Sequence, residues 1–386
     1  VCPPIVTSEP SDDRPPRYWS LDVFRGVCAL TVFLNHWPLW SHFAPVGAVQ
    51  TFVHEGLNSI YQVFIKLTWP TGGQHPALIC FFVLSGFCVH HPFEWGLGRK
   101  AATVRWGDYF SRRVRRIMPV YWVGVLLGLV FVAIEHWQPT GDPLLRLHAA
   151  ATPVQIAARL GGWSGLWPQE IFAGNYILHT VGTEIVIYAA YPLFYRAAAA
   201  GRWWLLGGIA VALQLLALPL LGYVDPFVLF PGVLMMGLFW YLGALAAHLS
   251  QKKSFQVSGW CVGALWALFL ALQQTPHFFG LNMIKQFIWG LVCMAVIVWL
   301  LGWEARHPTL RDRALVRGLR WTGDISYPLY AVHTPVILLV NWCLLTLGDV
   351  RSYGWQLMLN LVVPVLITLA VHYLIERRYY HPRKPA

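Results

Sequence analysis

Residues 21–40 read LDVFRGVCALTVFLNHWPLW, with Asp22 and Arg25 as their formal charges, both near the start. A helix needs roughly 20 predominantly apolar residues to cross a bilayer, and this run supplies one crossing. Comparable runs recur downstream, giving candidate spans at 22–41, 76–91, 119–137, 177–197, 203–222, 231–249, 258–272, 285–303, 325–347 and 355–376. The second and seventh are the shortest. Composition agrees: the chain is 57% hydrophobic and 12% charged, where soluble domains devote about a quarter of their residues to charge. The expected fold is all-α, a polytopic transmembrane bundle of about ten helices. It forms one domain over 21–376, between an N-terminal segment, 1–20, and a tail, 377–386.

A net charge of +11 would suggest nucleic acid as the partner of a soluble chain, but the positions of the charges argue otherwise. With the N-terminus inside, 23 of the 28 Lys and Arg residues fall in segments on the cytoplasmic side. That asymmetry predicts an even number of crossings and two cytoplasmic termini, in a multi-pass protein of the cell membrane with anionic lipid as a secondary partner. Residues 1–20 are polar and proline-rich without an apolar core, so the first span is expected to serve as the targeting signal. The seven cysteines form no CxxC and read as small buried hydrophobes rather than a disulfide or metal set.

Arg25 and His36 lie eleven residues apart, nearly three full turns, so they share a helix face at about 16 Å separation. Asp22 shares that stripe and can pair with Arg25. Arg25 reads either as a snorkelling anchor or as part of a site. His36 reads either as an interfacial imidazole or as a base for an attacking hydroxyl. Ser85-Gly86 in the second span reads first as a packing notch. Arg112, Arg113, Arg115 and Arg116 fall in the connection 92–118, before the third span, and either fix topology or clamp phosphate. Glu184 is a carboxylate in an apolar helix, a functional candidate by default. In the ninth span Tyr330 and His333 share a face, with Tyr327 nearer the opposite one. His372 and Glu376 form an i, i+4 pair able to satisfy each other. The long connections 42–75 and 138–176 are expected to lie partly at the interface.

Taken in order, these pieces resemble integral-membrane acyltransferase family 3, whose members O-acylate glycans and other envelope molecules. The resemblance runs from about residue 18 to residue 376. It is carried by Arg25-x10-His36 in LDVFRGVCALTVFLNH, FFVLSG at 81–86, RRVRRIMPVYW at 112–122 and SYPLYAVHTPV at 326–336. Two departures stand out. The family often has two adjacent acidic residues where this chain has Glu184 followed by Ile185, and the ending around Glu376 lacks a proline close behind it.

The resemblance implies an acyl-CoA donor, commonly acetyl-CoA, and a glycan or lipid-linked sugar as acceptor. The site it implies has His36, Arg25, Glu184 and His333 as catalytic residues. Arg112, Arg113, Arg115, Arg116, Ser85 and Tyr327 would hold the donor, with no metal. A transporter or flippase using the same buried polar residues is the rival reading, expected to show inverted repeats and broken helices. A haem carrier, suggested by 15 histidines, needs histidines of different spans facing each other at one depth, and a colourless purified protein would eliminate it.

Overall fold

A computed structural model describes residues 17–39, 43–68, 75–98, 104–163, 174–216, 232–252, 255–275, 279–346 and 352–380. Residues 1–16, 217–222 of the fifth expected span and 381–386 of the tail lie outside them. The regular elements among the described residues are helices: α1 (Trp19–Leu39), α2 (Gly47–Thr68), α3 (Pro76–Gly98), α4 (Trp106–Trp137), α5 (Pro143–Ala149), α6 (Pro153–Gly161) and α7 (Leu178–Ala199). They continue with α8 (Trp203–Leu216), α9 (Gly232–Ser250), α10 (Gly259–Gln273), α11 (Phe279–Arg306), α12 (Ala314–Asp324), α13 (Ser326–Thr346) and α14 (Tyr353–Val371). The last runs on through a π-helical turn, His372–Glu376.

Five helices, α3, α4, α11, α13 and α14, are long and apolar enough to cross a membrane, and α8, α9 and α10 are shorter apolar helices. Helices α1 and α7 are 21 and 22 residues long but fall outside that group. Their hydropathy is diluted by polar side chains, Asp22, Arg25, Asn35 and His36 on one and His179 and Glu184 on the other.

The arginines mark one end of the bundle. There the carboxylate of Glu304, on α11, accepts from the backbone N–H of Trp19 at 3.1 Å and of Ser20 at 2.9 Å. It caps α1 from a neighbouring helix, satisfying amides that otherwise lack partners and complementing the helix dipole. Asp22 pairs with Arg25 at 3.2 Å, as the spacing predicts, and also with Arg17 at 2.8 Å.

Close helix crossings are made at glycines. A Cβ on Gly86 of α3 would overlap the Trp240 carbonyl of α9, and one on Gly243 of α9 would overlap the Val83 carbonyl of α3. Such contact lets backbones approach where lipid offers no hydrophobic drive between helices. The packing notch expected at Ser85-Gly86 is thus Gly86, while Ser85 turns to a cavity. Gly86→Val is expected to cost about 1–3 kcal/mol by overpacking. It should lower the melting temperature in detergent, whereas Gly237→Val, at an open position of α9, should not.

Two expected connections are helical. The segment 92–118 is mostly helix, because α3 continues to Gly98 and α4 begins at Trp106. Aromatic packing holds these ends: Phe93 stacks on Trp106 at 6.2 Å, and Tyr109 stacks on Tyr191 at 5.3 Å. The four arginines therefore ride on a helix. The segment 42–75 contains the 22-residue α2, none of whose residues is buried. The cysteines divide: Cys28, Cys80 and Cys293 are buried as expected, but Cys261 and Cys343 are exposed.

Candidate active site

Near the arginine-rich end, α1, α3, α4, α7 and α13 enclose a cavity of about 120 Å³. Arg25, Ser85, Arg113, Arg116, Glu184 and Tyr327 all line it. The helical period explains which arginines take part. Arg113 and Arg116 are three residues apart and share a face, while Arg112 and Arg115 are exposed and do not line the cavity. The guanidinium of Arg113 lies over the rings of Tyr109 and Tyr188, at 5.5 and 5.2 Å, a cation–π seat that orients it. Arg25 donates to Asp22 and to the Cys88 sulfur.

Glu184 is held by Ser85 and Tyr188, with Arg116 and Arg113 as charged neighbours. Ser85 and Tyr188 also bond each other at 2.8 Å. Glu184 is therefore a member of this cavity, not of the histidine site described below. Three guanidinium groups against one carboxylate leave the lining cationic, and planar guanidinium groups match phosphate oxygens bidentately. His372 and Glu376 bond each other at 2.6 Å in the π-helical turn; Arg116 is among the charges acting on Glu376.

Toward the other end, His36 Nδ1 and His333 Nε2 are 2.8 Å apart, their rings nearly parallel. The partners fix the protons. The Leu329 carbonyl, 2.8 Å from His333 Nδ1, only accepts, so that nitrogen carries a hydrogen. His333 Nε2 is then an acceptor and takes the Nδ1–H of His36. His36 Nε2 is left as the basic nitrogen, and it receives the Tyr176 hydroxyl at 2.8 Å. The contact also bears on the haem reading: the two imidazoles face each other nitrogen to nitrogen, with no gap for an iron porphyrin.

Tyr176 comes from the connection 138–176, where sequence reading finds no candidate. Gly174, at φ +69°, packs against Gly128 of α4 where a Cβ would overlap backbone. Asn175 Nδ2 then donates to the Gly124 carbonyl at 3.0 Å and the Ala331 carbonyl at 2.9 Å. Those two contacts clamp the segment between α4 and α13 and deliver the phenol to His36.

One stripe of α13 joins cavity and histidines. Ser326, Tyr327 and Tyr330 line the cavity, and His333 follows one turn above Tyr330. Tyr327, expected nearer the opposite face, shares the cavity wall, its hydroxyl donating to the Ile117 carbonyl at 2.8 Å. The Tyr330 hydroxyl and Thr180 Oγ1 share a hydrogen bond of 2.7 Å, and the Tyr330 ring lies edge-on to Phe81 at 5.9 Å and to His333 at 6.2 Å. Phe81, Thr180 and Tyr330 thus line the part of the cavity nearest His333, one ring from the histidine pair.

A family model described as an acyltransferase domain, acyltransferase 3, matches residues 18–377. The chain belongs to this family and is a membrane acyltransferase. No curated protein and no solved structure matches it.

Proposed function

We propose that this chain is an acyl-CoA-dependent membrane O-acyltransferase that moves an acyl group, most simply acetyl, from the cytoplasm to a hydroxyl of an envelope glycan or lipid-linked sugar. The observation that carries the reading is the alignment, along one face of α1 and one of α13, of a cationic cavity at the arginine-rich end with a basic imidazole nitrogen beyond it. Under the positive-inside rule the cavity opens on the cytoplasm, where acyl-CoA is made. Arg25, Arg113 and Arg116 hold the phosphates of CoA. Ser85 and Tyr327 line the path of the pantetheine arm, and Glu184 orients the arginines.

The acceptor hydroxyl takes the place of the Tyr176 hydroxyl at His36 Nε2. Its oxygen attacks the thioester carbonyl while Nε2 takes its proton. The C–O bond forms, the C–S bond breaks, and the proton returns to the leaving CoA sulfur. His333 holds His36 in the tautomer that makes Nε2 an acceptor, a positioning role like that of the third group behind a catalytic base.

The test uses inside-out membrane vesicles given acetyl-CoA labelled in the acetyl group. Alkali-labile label should appear in the envelope glycan and glycolipid fraction with the wild-type chain and be lost with His36→Ala. CoA release with all label in free acetate would mean a thioesterase and contradict the proposal.

A further inference from the structure

Helix α2 is 22 residues long, has no buried residue, and contributes none of the residues lining the cavity. At 100° per residue its side chains sort into three sectors. Leu57, Tyr61, Phe64, Ile65 and Thr68 are half-buried against the bundle. Val49, Phe52, Val53, Ile60, Val63 and Leu67, all exposed, fall within an arc of about 100°. Thr51, Glu55, Asn58, Ser59, Gln62 and Lys66 occupy the remaining arc. A helix exposing a full apolar stripe beside a full polar stripe is suited to an interface between lipid and water.

We infer that α2 is a lipid-binding helix lying in the membrane leaflet at the end of the bundle opposite the arginines, its apolar stripe seated among lipid acyl chains and its polar stripe at the headgroups. Its anchors fix the depth. Trp266 of α10 donates to the Leu67 carbonyl at 3.0 Å. Trp266 lies seven residues before Gln273, the end of α10, so this end of α2 sits about 10 Å inside that helix terminus. At the other side His54 bonds the Tyr353 hydroxyl at 3.0 Å, at the start of α14. On the helices it joins, Trp266 and Leu268 of α10 and Trp355 and Met358 of α14 are apolar and exposed as well. Lipid that covers those residues covers α2 as well. The bundle-facing side brings Phe64 to 6.0 Å from the His75 ring, and His75 is among the groups acting on His36.

The test is a nitroxide scan of α2 in nanodiscs of phosphatidylethanolamine and phosphatidylglycerol, where water reaches both faces and topology does not matter. Single cysteines at 49, 52, 60 and 63 and at 51, 55, 58 and 62 are labelled, with the wild-type chain as background. Substitution is tolerable because none of the eight is buried. Oxygen should relax the first set several-fold more than a water-soluble nickel chelate does, and the second set should show the reverse. Equal nickel access at both sets would mean a water-exposed helix and overturn the inference. Exclusion of both probes from the first set would mean a protein contact and overturn it too.

Discussion

His36→Ala should abolish acyl transfer and leave CoA binding intact. The two halves of that expectation come from two places in the structure. His36 Nε2 is the acceptor nitrogen turned to the Tyr176 hydroxyl, since His333 Nδ1 serves the Leu329 carbonyl and His333 Nε2 serves the Nδ1–H of His36. Removing a general base costs about 10²–10⁴-fold in rate. His36 does not line the cationic cavity, so the donor should bind the variant as it binds wild type. Labelled transfer in vesicles reads the first half and a CoA titration the second. Transfer by His36→Ala at the wild-type rate would remove His36 from the chemistry.

His333→Phe should lower kcat about 10- to 100-fold while His333→Gln recovers a good part of the loss. Phenylalanine keeps the ring against Phe33, which meets His333 edge-on at 5.9 Å, but offers nothing to the Nδ1–H of His36. Leaving that donor buried and unpaired costs about 1–3 kcal/mol, and the imidazole is free to place its hydrogen on Nε2, where no base remains. Glutamine restores an acceptor oxygen. A role in packing alone predicts the opposite ranking, with Phe tolerated better than Gln, and equal loss in both variants would also contradict the positioning role. The affinity for CoA should not change in either.

The structure explains which of these features the sequence announces. Arg25 and His36 share a face by arithmetic within one helix, and the Asp22–Arg25 pair follows from the same period. His333 as the partner of His36 is a meeting of two helices 297 residues apart, and no periodicity within either helix specifies it. The arginine run shows two overlapping RxxR pairs. Only the register of α4, pinned by Trp106 and Tyr109 against the aromatic cluster, turns Arg113 and Arg116 inward and leaves Arg112 and Arg115 out. Glu184 is conspicuous as a charge in an apolar helix, yet its place beside Ser85 depends on how α3 and α7 pack. Gly174-Asn175-Tyr176 is hidden because its signal is a left-handed glycine and a bridging amide, neither of which has a period. Helix α2 escapes a search for spans because three sectors share its surface, which lowers its mean hydropathy while leaving it fully helical.

The most direct measurement of the central claim, a donor site at the arginine-rich end built by one pair of arginines and not its neighbours, is a thermal titration with CoA and acetyl-CoA. A ligand that binds only the folded state raises the melting temperature by mass action. Three proteins are compared in detergent: wild type, Arg113→Ala/Arg116→Ala and Arg112→Ala/Arg115→Ala. The melting temperature should rise in wild type and in the 112/115 variant, and the rise should be lost in the 113/116 variant. No rise in wild type at millimolar CoA, or equal loss in both double variants, would contradict it.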